Sequence, residues 1–162
     1  MVLMAKFQVI IGRAEEVDLV GVALGVPAKI DTGAYRSAIH ASGIKVVSVD
    51  GVKTLKFSIL GHKNAVIKRD LESTDFSEVE VTSSNGQTEK RYEVKLRIKL
   101  ANKVFRTSFS LSDRGKTLYP ILIGRTALAG RYLVDSAKTS IKVDSLLKNF
   151  GQKPGEFEEG MD

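Results

Sequence analysis

The chain reads as an all-β protein, a closed or nearly closed barrel or a sandwich. Three features predict this. Short apolar stretches follow one another along most of the chain, separated by turns rich in Gly and Asn. Tyr92, Val94, Leu96, Ile98 and Leu100 alternate with Arg91, Glu93, Lys95, Arg97 and Lys99, the period-2 pattern of a strand with one buried and one wet face. Asp50-Gly51 and the segment Ser83–Gln87 lie between such stretches, as hairpin turns do.

Taken in order, Phe7–Gly12 is a first strand, Val17–Leu24 a second and Val26–Asp31 a third. Ile44–Val49 and Val52–Leu60 flank Asp50-Gly51. Phe76–Thr82 and Thr88–Leu100 flank the Ser83–Gln87 tip, and Ala101-Asn102 turns the chain into Val104–Leu111. A polar loop, Ser112–Lys116, precedes a strand over Pro120–Ile123. Arg125–Ala129 is a short helix, Tyr132–Val134 and Ser140–Val143 are strands, and Asp144–Phe150 is a last helix capped by Asp144. Residues 1–150 form one domain, and Gly151–Asp162, rich in Gly and Glu, is a flexible tail. One internal echo stands out: Val9–Arg13 reads Val-Ile-Ile-Gly-Arg and Ile121–Arg125 reads Ile-Leu-Ile-Gly-Arg.

With 162 residues, 43% of them hydrophobic, the chain is long enough to bury its own core. No apolar run approaches the roughly 18–20 residues that span a bilayer, and the stretch from Met1 to Ile11 is broken by Lys6 and Gln8, unlike a signal peptide. A cytoplasmic location and no membrane partner are expected. The absence of cysteine excludes disulfides, thiol catalysis and cysteine-based zinc sites. The net charge of +6 comes from 25 basic and 19 acidic residues interleaved along the chain, the pattern of a solvated surface. An RNA-binding barrel would cluster stacking aromatics with Lys and Arg. There is no Trp and 7% aromatic content, so no nucleic-acid partner is expected.

The chemistry-bearing residues are Asp31-Thr32-Gly33-Ala34, placed directly after the apolar strand Val26–Ile30. A carboxylate at a strand end has a rigid support. Gly33 allows close backbone approach and offers an N–H to the carboxylate, and the Thr32 hydroxyl can bond to a partner loop. This is the context of an aspartic-protease active-site loop. Such chemistry needs two carboxylates about 3 Å apart sharing one proton, and the chain has one such triplet. The expectation is a homodimer. Asp113 and Asp135 are the other acids weighed as a second carboxylate; neither is followed by Thr-Gly or Ser-Gly, and both are read as structural.

About 90 residues later, Ile121–Arg125 followed by Thr-Ala-Leu resembles the second signature of retropepsins, in which two apolar residues and a Gly pack beside the catalytic loop. More of the chain resembles one family: the prokaryotic retropepsin-like aspartic proteases, RimB-like, filed as putative ATP-dependent zinc proteases. The resemblance runs over Ile11–Arg13, Ala28–Ala34, Ser37–Ala41, the Ser83–Gly86 hairpin with Arg91 after it, and Leu122–Asp135. Tyr35-Arg36 departs from the Arg-Thr usual in the family. The resemblance implies a closed barrel with one or two short helices and an endopeptidase with Asp31 as catalytic carboxylate. It gives Thr32, Gly33, Ala34, Ser37, His40, Gly124 and Arg125 supporting roles, and makes Ser83, Ser84, Asn85 and Gly86 the tip of a flap closing over an extended peptide. It also implies a glutamate ligase of the ATP-grasp type as a possible partner, the family being companions of the enzyme that adds glutamates to a ribosomal protein. The alternative is a non-catalytic peptide- or protein-binding module on the same fold. Neither zinc nor ATP follows from the residues. Zinc needs three or four ligands, and the histidines are His40, read as holding the active-site loop, and His62, in a turn. Ser110–Thr117 ends like a phosphate loop, but serine stands at its first glycine position. No cofactor and no metal site are expected.

Overall fold

The computed structural model describes residues 8–61, 67–83 and 85–141. Their elements are β1 (Val9–Leu19), β2 (Ala23–Ile30), β3 (Ser37–Val49), β4 (Val52–Leu60), β5 (Lys68–Ser73), β6 (Phe76–Thr82), β7 (Thr88–Leu100), β8 (Lys103–Ser112), β9 (Ile121–Ile123), α1 (Arg125–Leu128) and β10 (Tyr132–Thr139). The protein is all-β. Strands β1, β2, β9, β3, β8 and β7 pair in that order, and β7 returns to β1 through Val17↔Leu100, Asp18↔Lys99 and Leu19↔Ile98. This closes a six-stranded barrel, so these strands have no free edge. Val17, Val26, Ile39, Ile98, Leu100, Phe109, Ile121 and Ile123 fill it and are fully buried. Outside the barrel, β6 extends from β7, β10 runs parallel to β1, and β4 and β5 build on the far end of β3.

The alternating segment behaves as its pattern requires. Val94, Ile98 and Leu100 point into the core while Lys95, Arg97 and Lys99 are exposed. Asp50 and Gly51 both take positive φ, +50° and +79°, the geometry of a tight two-residue hairpin joining β3 to β4.

Several boundaries differ from the sequence expectation, each for a physical reason. The expected strands Phe7–Gly12 and Val17–Leu24 are redistributed. β1 is continuous through Leu19, with an irregularity between Gly12 and Ala14, and the chain turns at Val20–Val22, where the Val22 N–H bonds to the Leu19 carbonyl. Glu15 Oε1 accepts the Gly12 N–H at that irregularity, keeping a polar stretch within the strand. β3 starts at Ser37, seven residues before Ile44. Ser37–Ala41 is buried on both faces between β8 and β9, so it carries no alternation to read. β5 has one half-buried apolar residue, Leu71, and is held by pairing with β4 rather than by its own pattern. Tyr132–Thr139 is one strand, and Ser140 and Ile141 follow it outside any strand. Phe7, the rest of the Ser140–Val143 expectation, the Asp144–Phe150 helix and the 151–162 tail lie outside the described residues, as does His62. No helix among the described residues is long and apolar enough to cross a membrane.

Candidate functional site

Asp31 follows the last residue of β2, and its N–H bonds to the Ile123 carbonyl of β9 at 2.9 Å. Its Oδ1 accepts the Gly33 N–H at 2.9 Å. The side chain is half-buried, and Thr32 and Gly33 are exposed. The loop then folds over the end of β9. The first N–H groups of α1 have no partner within so short a helix. Here Arg125 N–H bonds to the Ala34 carbonyl at 2.8 Å and Thr126 N–H to the Tyr35 carbonyl at 3.0 Å. Gly124 is required at this crossing: a Cβ there would meet the Arg36 carbonyl oxygen at 2.5 Å and that of Ala34 at 2.9 Å. Ser37 Oγ accepts the buried Gly124 N–H at 3.0 Å. The Arg125 side chain bonds to the Thr32 carbonyl at 3.1 Å and lies beside the Tyr35 ring, which Arg36 flanks as well. Arg36 is fixed by Glu93 of β7 at 2.7 Å. One loop is thus fastened at every residue from Asp31 to Arg36 except Gly33, which is bound to Asp31 itself.

A second loop of similar construction follows β8. Asp113 Oδ1 accepts the Gly115 N–H at 2.9 Å. β8 runs parallel to β3, pairing Phe109–Ser112 with Ser37–His40, as β2 runs parallel to β9, pairing Ala28–Ile30 with Ile121–Ile123. β3 and β9 meet antiparallel between them. The two loops are therefore related by a local pseudo-two-fold.

Between the Asp31 loop and the β6–β7 hairpin lies a cleft of about 410 Å³, lined by Gly33, Ala34, Tyr35 and Arg36 on one side and by Glu80, Val81, Thr82 and Arg91 of the hairpin on the other. Ala38, Ser110 and Leu122 also line it, as does Arg114, from the second loop. Its guanidinium is largely withdrawn from water, which pushes its pKa down to about 10; Arg91 pushes the same way and the Asp31 carboxylate opposes. It remains a cation at neutral pH. Arg91 bonds Glu89 at 3.2 Å through one terminal nitrogen, while its Nε is buried with no hydrogen-bond partner among the described residues. The hairpin tip is ordered by its own polar groups: Ser83 N–H bonds to the Gln87 carbonyl, Gly86 N–H to the Ser83 carbonyl, and Ser83 Oγ to Asn85. Gly86 has φ +83°, a conformation glycine adopts at little cost.

Residues 10–145 match the family model of the retropepsin-like aspartic endopeptidase RimB. The chain belongs to the RimB-like family. A Legionella pneumophila protein of unknown function has a solved structure that is 31% identical, with a TM-score of 0.65 over 81% of this chain and 95% of that one. Curated relatives include probable alpha-L-glutamate ligases of Shewanella pealeana, 34% identical over 72% of this chain, and of Parasynechococcus marenigrum, 30% identical over 79%. The chain spans about a quarter of the length of those ligases, 26% and 28%.

In this RimB-like chain, Thr32, Gly33, Ala34, Ser37, Gly124 and Arg125 gather around Asp31, each through a contact given above. The Nδ1 of His40 accepts the Arg114 N–H at 2.8 Å, so this side chain holds the second loop. Ser83, Asn85 and Gly86 form the hairpin tip, but the hairpin residues that line the cleft are Glu80–Thr82 and Arg91. Ser84 lies outside the described residues. Arg114, Arg91 and the hairpin residues Glu80–Thr82 are cleft residues that sequence reasoning missed in this role. Arg114 sits in what reads as a polar loop, and only the strand register brings it beside Asp31. Zinc, in the filed name of the family, does not fit the residues present: the Nδ1 lone pair of His40 is used by an amide, and no three His, Asp or Glu among the described residues are grouped to hold a metal. The phosphate-loop-like Ser110–Thr117 leads from β8 into a turn, and no helix follows it to supply the N-terminus such loops use.

Proposed function

We propose that this chain is an aspartic endopeptidase that works as a homodimer, each chain supplying one Asp31 carboxylate. The observation that carries this is the Asp31 loop itself: a half-buried carboxylate on a strand end, in a loop fixed by Ile123, Gly124 and α1, whose residues Gly33–Arg36 line a cleft facing the β6–β7 hairpin. Two such loops face to face bring two carboxylates to about 3 Å, where they share one proton. The ionised partner takes a proton from a water, which attacks the peptide carbonyl carbon, and the protonated partner gives its proton to the carbonyl oxygen. An extended peptide lies between Asp31 and the β6–β7 hairpin, which acts as the flap with Ser83–Gly86 at its tip.

The guanidinium groups of Arg91 and Arg114 in the cleft favour a peptide bearing carboxylates. The named relatives are glutamate ligases in which a region like this chain occupies about a quarter of the length. Together they support a peptide carrying glutamate as substrate and a glutamate ligase as functional partner. The test is cleavage of glutamate-bearing peptides with chain concentration varied. Activity per chain is expected to rise with concentration as dimers form, and Asp31→Asn is expected to abolish it while leaving the fold and dimer intact. Retained activity in Asp31→Asn overturns the reading. One observation favours a second reading, a peptide-binding module without catalysis: each chain has a single Asp-Thr-Gly loop, and its carboxylate lies within the electrostatic influence of a cation, Arg114. Binding of peptide by a stable monomer, without cleavage, is the result that supports it.

A further inference from the structure

The Asp113–Gly115 loop is tied to β3 by one side chain. His40 is buried, its backbone N–H bonded to the Pro120 carbonyl at 2.8 Å and its Nδ1 accepting the Arg114 N–H at 2.8 Å. A ring nitrogen that accepts a hydrogen bond carries no proton, which assigns His40 as neutral with its proton on Nε2. Burial favours the same state. It is the largest influence lowering the His40 pKa from the ordinary 6.5, with Asp113 opposing and Arg114 adding to it. Asp113 Oδ1 stands 3.7 Å from Nδ1, but it is engaged by Gly115 N–H and its side chain is 88% exposed, so this contact is not an ion pair. The neighbours of His40 on β8 and before β9, Ser112 and Pro120, carry no charge.

Arg114 is held on its other side as well. Its carbonyl accepts both the N–H and the hydroxyl of Thr117, at 2.9 and 2.8 Å, and its Nε bonds to the Tyr119 carbonyl at 3.2 Å. With its backbone clamped at both ends, the guanidinium is directed into the cleft, where it interacts with Asp31 and Arg91.

We infer that His40 is a positioning residue for Arg114: by accepting the Arg114 N–H it fixes the Asp113–Gly115 turn and keeps the guanidinium in the cleft beside Asp31, where it engages a carboxylate of the bound peptide. What Arg114 engages rests on the function proposed above; the latch from His40 to Arg114 does not. Protonation of Nδ1 turns the acceptor into a donor and opens the latch. Asparagine at position 40 places an amide oxygen near the Nδ1 position and does not titrate, whereas leucine removes the acceptor.

Two measurements on the full chain carrying Asp31→Asn, introduced so that bound peptide is not cleaved, test this. The first is nitrogen-15 NMR. It is expected to find Nδ1 of His40 unprotonated at neutral pH and the Arg114 amide protected from exchange, with protection kept in His40→Asn and lost in His40→Leu. A protonated Nδ1, or protection unchanged in His40→Leu, overturns the latch. The second is binding of a glutamate-bearing peptide and its glutamine analogue. His40→Leu is expected to weaken the first roughly tenfold, the scale of one charge-assisted hydrogen bond, and to leave the second unchanged. His40→Asn restores binding, and Arg114→Gln matches His40→Leu with no further loss in the double variant. Equal weakening of both peptides, or additive losses, overturns the positioning role. If the parent chain binds neither peptide, the cleft assignment of the proposed function fails, and the NMR measurement decides the latch alone.

Discussion

Asp31 and Asp113 each stand just past the end of a barrel strand, β2 and β8, and each accepts the N–H of the glycine two residues on at 2.9 Å. Their strands are paired in parallel with β9 and β3, which themselves meet at the centre of the barrel. The loops differ in what stands behind them. Past β9 the chain has Gly124 and then α1, and the carbonyls of Ala34, Tyr35 and Arg36 come down onto it. Past His40 the chain continues as β3, and the tie from β3 to the Asp113 loop is a side chain, that of His40. Asp31 is consequently half-buried at a cleft, while Asp113 projects into solvent and hands the cleft its neighbour, Arg114. The same turn chemistry yields a candidate catalytic carboxylate in one place and a positioned cation in the other.

The largest expected effect that separates the two loops is Gly124→Ala. The added Cβ has no room against two carbonyl oxygens, and stability is expected to fall by about 3 kcal/mol, read as a lower denaturation midpoint. A smaller loss, about 1–3 kcal/mol, is expected from Ser37→Ala, which strands the buried Gly124 N–H. On the other loop the comparison is sharpened by pH. Because burial lowers the folded-state pKa of His40, the unfolded chain binds its proton more readily. The stabilisation tied to neutral His40 is whole above the ordinary value of 6.5 and is lost as pH falls through the lowered folded value. Thermal melts of the parent and of His40→Asn are expected to diverge below that point, with the parent losing more; parallel curves would contradict the assignment. The smallest effect is Asp113→Asn. Its amide oxygen can still accept the Gly115 N–H, and its side chain is exposed, so stability is expected to change by less than about 0.5 kcal/mol.

Much of this was legible in the sequence because it is local. The Asp31–Ala34 loop, the apolar strand before it, the β6–β7 hairpin and the alternation in β7 all follow from short-range pattern, and the family was readable from the combination. The echo between Val9–Arg13 and Ile121–Arg125 has a shared steric cause. A Cβ at Gly12 would meet the Lys138 carbonyl oxygen at 2.2 Å, as one at Gly124 would meet that of Arg36, so each glycine marks a backbone crossing. The rest depends on register between distant strands. Nothing in Ser112–Lys116 announces that Arg114 turns into a cleft, since that follows from β8 lying parallel to β3 and from one bond to His40, 74 residues away. The bond from His40 to Arg114 is hidden for the same reason: His40 lies nine residues from Asp31 in sequence, and the barrel brings its ring to the second loop.

The claim that most needs testing is that two Asp31 carboxylates act as one site. Equal amounts of parent and Asp31→Asn chains, exchanged at fixed total concentration and assayed on a glutamate-bearing peptide, test it directly. If both carboxylates of a dimer are required, random pairing leaves about a quarter of the activity of the parent alone. Activity at about half, the value for chains that act singly, would contradict it.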